Sequence, residues 1–162
     1  MDELRIPTQP ELWAALGRLA IAHTHLELIL RYTVKTMAGL SVSDALDATE
    51  GERTSDVRRR IRKLFAQKKT AESEVLKLDA LLNRARVLSD KRNDFLHSAW
   101  SETEKGEAVR KREGDHRWVR APSKEDVDTV TTKIMDLAGE INDARLDGFI
   151  DEVIKGKRLG KE

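Results

Sequence analysis

The residues of this chain best suited to chemistry are Arg92, Asn93 and His97, inside KRNDFLHSAW at residues 91 to 100. On a helix, His97 lies one turn beyond Asn93, so the two share a face, and Arg92 flanks it about 140° away at 100° per residue. The set offers an imidazole that titrates near neutrality, an amide able to orient it or a substrate, and a permanent cation for a phosphate. Acid–base chemistry on a phosphodiester needs little more when the substrate brings its own nucleophile, and RNA brings its 2′-hydroxyl. A structural reading stands beside this one: Arg92 pairs with an acid, Asn93 caps a neighbouring loop, and His97 closes a helix C-terminus, where a cation is favoured. Spacing alone does not decide, because RLAIAH, Arg18 to His23, repeats the Arg-to-His interval in a chain with 17 arginines. Context separates them. In RNDFLH an Asn follows the Arg, Phe95 and Leu96 fill the turn before His97, and the helix runs out into Trp100 and a hairpin.

The elements that must position these residues are helical. Aromatic residues are 4% of the chain and Gly and Pro together number twelve (9 and 3), while Ala, Leu, Glu, Lys and Arg dominate, a balance that favours helix. A first long helix is expected over residues 10 to 38, opened by a Thr8/Glu11 capping box with Pro10 in its first turn and stopped by Gly39. Its apolar residues, Leu12, Trp13, Leu16, Leu19, Ile21, Leu26, Leu28, Ile29, Leu30, Val34 and Met37, wrap most of the way round, so it is central or shared with a partner chain. One or two helical turns follow at 41 to 49, then a basic amphipathic helix at 54 to 67 on Val57, Ile61, Leu64 and Phe65. The motif helix spans about 70 to 99. Gly106, EGDH and the alternating EAVRKR and HRWVR predict a β-hairpin over about 100 to 120. A last helix begins at Ser123 with Val127, Val130, Ile134, Leu137 and Ile141 in helical period, and the tail, 155 to 162, is expected to fray. The expected architecture is thus an all-α, up-and-down helical bundle, one domain over 1 to 162, with a small hairpin before the last helix.

Two charges sit on apolar stripes. Leu78, Leu81, Ala85, Leu88, Arg92, Phe95 and Ala99 follow one another at helical steps, as do Leu16, Ala20, His23, Glu27, Leu30 and Val34. An unpaired buried charge costs several kcal/mol, so Glu27 and Arg92 are expected to lie close together, as an ion pair or through a shared neighbour, with Glu27 supporting Arg92.

The 30 Lys and Arg nearly balance 29 Asp and Glu, but their distribution does not. Residues 53 to 69 carry eight bases and one acid, and residues 110 to 120 carry five Lys or Arg plus His116 against two acids. Arg58, Arg59, Arg62, Lys63, Arg110, Lys111, Arg112 and Arg117 are candidates to meet an RNA backbone; solvated helix faces are the plainer account of such runs. RRRIRKLF as a DNA-recognition helix lacks the helix-turn-helix glycine. His116 beside Trp118 is able to stack on a base, whereas Trp13 and Trp100 are expected in the core. Absent cysteines exclude a disulfide scaffold and a thiol nucleophile. His23 and His25 diverge on a helix, so no metal or other cofactor is expected. MDELRIPTQP has acids where a secretory leader needs bases, and no apolar run is long enough to span a bilayer, so a cytoplasmic protein without a membrane partner is expected.

RNDFLH resembles the Arg-Asn-x-x-x-His motif of the HEPN family, on the helix where that family carries it. The resemblance covers most of the chain, with a long first helix containing HLELIL, a basic second region, the motif helix, a hairpin entered through HSAW, and a final helix. It departs at Ser98, where many members have Gly, which puts the backbone at the helix end in question. The resemblance implies a helical bundle that dimerises with its motifs facing a common cleft, and metal-independent endoribonuclease activity of toxins or defence effectors, with a possible antitoxin or nucleotidyltransferase partner. Arg92 would then stabilise the phosphorane-like transition state, His97 would act as general base or acid, and Asn93 would assist. The other readings are an RNA- or nucleotide-binding module without cleavage and a partner-binding helical protein.

Overall fold

The computed structural model describes residues 5–68, 70–112 and 114–156. They form a mostly helical protein with one small antiparallel sheet: α1 (Pro10–Ala38), α2 (Val42–Ala48), α3 (Thr54–Ala66), α4 (Glu72–Leu96), β1 (Ala99–Glu102), β2 (Ala108–Lys111), β3 (Val119–Arg120), α5 (Lys124–Leu146) and α6 (Phe149–Ile154). Among the described residues, no helix is long and apolar enough to cross a membrane.

Helix α1 is the central element and packs most extensively on α5 and then on α3. Pro10 opens it, and Gly39 ends it in the left-handed region (φ 67°), where its N–H reaches the Lys35 carbonyl. The expected Thr8/Glu11 capping box does not form. Gln9 is the N-cap, without a side-chain bond, and the Thr8 N–H and hydroxyl instead donate to Oε2 of Glu102 at 2.7 and 3.0 Å. One carboxylate oxygen that takes both donors through charge-assisted bonds outcompetes a local cap, and it ties the start of α1 to the sheet.

The apolar wrap of α1 divides in two. Leu12, Leu16, Leu19, Leu26, Leu30, Val34 and Met37 enter the core against Val57, Ile61 and Phe65 of α3, Leu78, Leu82 and Phe95 of α4, and Val127, Val130, Ile134, Leu137 and Ile141 of α5. Each such side chain contributes roughly 1.5–3 kcal/mol by leaving water. Ile21 and Leu28 face out, at 61% and 36% exposure. On α4 the buried seam is Leu78, Leu82, Ala85, Ser89 and Phe95, while Leu81, Leu88 and Arg92 are only half-buried. The expected stripe is therefore turned at these three positions, and Ser89 takes an inward place where His23 of α1 bonds to its hydroxyl.

Helix α4 stops at Leu96, three residues earlier than expected, and Ala99 already belongs to β1. The expected hairpin is a three-stranded sheet in the order β1-β2-β3. The two alternating segments pair as β2 and β3, in the register Val109 with Arg120 and Arg110 with Val119, and β1 adds on the other side of β2 with Trp100 opposite Arg110. Trp13 and Trp100 pack together with ring centroids 5.9 Å apart at the sheet's base, Trp13 remaining 37% exposed and so outside the core. Ser123 and Asp126 cap α5 reciprocally. Helix α6, which the sequence pattern does not announce, turns off α5 at Gly148, where a Cβ would stand 2.8 Å from the Ala144 Cα. Its Ile150 is buried. The expected frayed tail falls, beyond Gly156, outside the described residues.

Candidate functional site

The site is the end of α4. A helix leaves its last carbonyls without internal partners, and here the sheet supplies them. The His97 N–H closes the helix on Asn93 O at 2.9 Å. The Ser98 hydroxyl donates to Asp94 O at 2.6 Å, and the Trp100 indole donates to Phe95 O at 3.0 Å. Arg110 of β2 donates to both Asp94 O and its carboxylate, at 3.1 and 2.7 Å, and also to the Ser98 hydroxyl at 3.2 Å. Its guanidinium lies over the Phe95 ring. Arg112 donates to the same Asp94 carboxylate from the strand's next same-face position. Ser98, where the family resemblance leads one to expect Gly, thus caps the helix through its side chain.

This clamp sets the electrostatics. Burial alone would raise the Asp94 carboxyl, but hydrogen bonds from Arg112 and Arg110, and then their charges, hold it at about 2, below the ordinary 3.8. Asp94 is therefore a fixed anion that neutralises two of the arginines of the 110–120 segment.

Beyond the clamp, Arg92 Nη1 donates to Asn93 Oδ1 at 2.9 Å and stands 3.5 Å from His97 Nε2. A guanidinium only donates, so in this arrangement Nε2 presents its lone pair. The Arg92 Nε is buried and has no hydrogen-bond partner. Asn93 and His97 open into a groove of about 590 Å³ that Val87, Asp90, Lys91, Asp94, Ser98 and Arg112 also line. The structure thus brings Arg92, Asn93 and His97 together, with the imidazole exposed in the groove and Arg92 half-buried behind it, outside the groove lining. Asp94, Ser98, Lys91 and Arg112 belong to the same place. The only sequence signal for the clamp was the alternation of Arg110 and Arg112 and the acid inside the motif, which names no partner until the strand register is known.

Glu27 does not pair with Arg92. It accepts a hydrogen bond from Thr54 at the start of α3 and approaches His23 Nδ1 at 3.6 Å. His23 is buried, with Nε2 3.0 Å from Ser89 Oγ. Burial lowers its pKa from 6.5; Glu27 opposes this, and the charges of Arg92 and Arg58 add to it. Burial also works against the charge of Arg58, with Asp90 opposing, and its Nη1 has no hydrogen-bond partner.

The other candidate RNA contacts are scattered. Arg58 is buried on the inner face of α3. Arg59 pairs with Asp56, and Arg62 pairs with Asp79 and reaches Asn83. Arg110 is committed to Asp94, whereas Lys63 and Arg117 are exposed. Among the described residues, no group of three or more His, Asp or Glu side chains is placed to hold a metal ion. Comparison of the chain with protein-family models, with curated proteins and with solved structures finds no match in any of the three.

Proposed function

We propose that this protein is a metal-independent endoribonuclease of HEPN type. The observation that carries the proposal is the approach of Arg92 Nη1 to His97 Nε2, 3.5 Å, beside Asn93 at an exposed groove. In this mechanism the Arg92 guanidinium turns from His97 Nε2 to the phosphate, the substrate 2′-hydroxyl attacks the adjacent phosphorus, and the freed Nε2 takes its proton. Arg92 stabilises the charge that develops on the non-bridging oxygens, worth roughly 3–4 kcal/mol for a well-placed donor in comparable sites. Asn93 holds the guanidinium. The bond from phosphorus to the 5′-oxygen breaks, leaving a 2′,3′-cyclic phosphate and, once the departing oxygen is protonated, a 5′-hydroxyl.

Each chain carries one His97, so a second copy facing the groove would supply the proton donor, which makes a homodimer part of the proposal. Val87, 52% exposed in the groove wall, is the apolar residue on which two copies would meet. A cytoplasmic toxin or defence effector with an antitoxin or nucleotidyltransferase partner is the setting that such an activity fits.

The test is RNA cleavage in EDTA by the wild type, His97→Ala and Arg92→Ala, with circular dichroism on all three. Cleavage leaving cyclic-phosphate ends, lost in both folded variants, supports the proposal; no cleavage of structured or unstructured RNA by the wild type removes it. A second reading, a non-catalytic partner-binding or RNA-binding protein, is favoured by Ile21 and Leu28, which are seven residues apart on the outer face of α1 and exposed.

A further inference from the structure

The segment that supplies the clamp carries more cations than the clamp uses. Asp94 takes up Arg110 and Arg112. Lys111, Arg117 and Arg120 make no side-chain hydrogen bond or ion pair among the described residues, and Lys91 on α4 makes none either. Between Arg117 and Arg120 stand Trp118 and Val119, 41% and 47% exposed on the edge strand and its approach. A tryptophan left half in water next to unpaired cations forgoes burial worth about 1–2 kcal/mol.

We infer that the β2–β3 arm, together with Lys91, is a binding platform for an unpaired RNA strand that feeds the His97 groove. A flat aromatic face flanked by cations that make no ion pair suits a single strand, since a base stacks on the ring while phosphates meet the charges. A duplex hides its base faces, and an A-form major groove admits no side chain. The placement gives the strand a direction. Arg112 both ends the arm and lines the His97 groove, and Lys91 lines that groove and a second, larger one of about 1020 Å³ that contains Arg120. Glu107, Glu125 and Asp126 also line the larger groove, and Asp126 feels the charges of both Lys91 and Arg120, so the strand keeps to the Arg117–Arg120 edge and reaches Asn93 and His97 past Arg112 and Lys91. The inference rests on the proposed ribonuclease for its destination, but binding at the arm is measurable without cleavage.

The experiment is fluorescence anisotropy with a labelled 2′-O-methyl oligouridine, which cannot be cut, titrated at several salt concentrations. The wild type is expected to bind the single strand and not a 2′-O-methyl duplex of equal length. Trp118→Ala should weaken binding about fivefold to 150-fold, the range of one lost stack. The double variant Arg117→Ala/Arg120→Ala should reduce the salt slope by about 1.4, roughly 0.7 for each lost phosphate contact on a single strand. All three side chains are exposed, and thermal melts check that the variants fold. Absence of binding by the wild type, equal affinity for the duplex, or an unchanged slope in the double variant would overturn the platform. The two proposals separate cleanly: oligonucleotide binding that depends on Trp118 in a protein that cuts no RNA keeps the platform and removes the nuclease. Cleavage with binding that ignores Trp118 does the reverse.

Discussion

Asp94 and Arg110 are joined twice, through the carboxylate at 2.7 Å and through the main-chain oxygen at 3.1 Å, so the sheet grips the helix at the turn that carries Arg92, Asn93 and His97. The orientation of the candidate catalytic groups is thus fixed by residues that take no part in the chemistry.

Asp94→Asn tests that grip. The folded carboxyl titrates at about 2, below 3.8 for the unfolded chain, so its contribution is complete above about pH 4 and is lost as pH falls toward 2. The shift corresponds to about 1–2 kcal/mol once the exposed Arg112 side of the clamp is discounted for screening. Denaturant melts at pH 7, 4, 3 and 2 should show the variant weaker than wild type at neutrality and the gap closing in acid. Parallel losses at every pH would place the acid sensitivity elsewhere.

His23 gives a second pH dependence in a different window. Its folded pKa lies below 6.5, chiefly through burial, so the unfolded state binds the proton first. Stability should be complete above about pH 6.5 and decline as pH falls beneath it. Gln at this position keeps a partner for Ser89 and cannot titrate. The His23→Gln protein is therefore expected to show a flatter profile between pH 7 and 5, whatever its stability at pH 7.

Arg92→Lys separates charge from shape. Lysine keeps the cation but loses the planar fork that reaches Asn93 and His97 together. Under the proposed mechanism kcat in EDTA should fall about 10²–10³-fold, the loss seen for one transition-state donor, and His97→Ala by about 10²–10⁴-fold. Melting temperatures should stay close to wild type. Retained kcat in the lysine variant would mean that any cation suffices.

The long helices of this chain were legible in its sequence because each has its own apolar period: α1 has the expected bounds and α5 the expected face, whereas the six-residue α6 is too short to show one. What escaped depends on distant partners. Thr8 leaves its capping role for Glu102, 94 residues away, and Ser89 enters the α4 seam to meet His23. Glu27 and Arg92, both misfits on apolar stripes, do not pair: Glu27 is drawn to Thr54 at the start of α3 and to His23, and Arg92 to Asn93 and His97. Arg92, Asn93 and His97 could be singled out from type and spacing; the clamp that holds them could not be weighed without the register that puts Arg110 opposite Trp100.

Gly148→Ala should destabilise the protein by about 1–3 kcal/mol, since the new Cβ would meet the Ala144 Cα at 2.8 Å and no flexible side-chain end is there to yield. The loss should appear in thermal melts of the whole chain, because α6 buries Ile150 in the common core and sets Phe149 against Phe65. A melt like that of wild type would mean that the α5–α6 turn opens at little cost.

Val87 decides whether one chain is enough. It stands 52% exposed in the groove wall with Asn93 and His97, so Val87→Asp leaves the core untouched and places a charge where the second copy is proposed to sit. Burying that unpaired charge in an interface costs several kcal/mol, enough to raise a micromolar dimer constant by more than a hundredfold. Sedimentation velocity should show a wild-type dimer and a Val87→Asp monomer with the same circular dichroism, and cleavage by the variant should fall with its dimer fraction. A wild type that is monomeric and cuts RNA at a rate linear in protein concentration would show that His97 finds its proton donor within one chain.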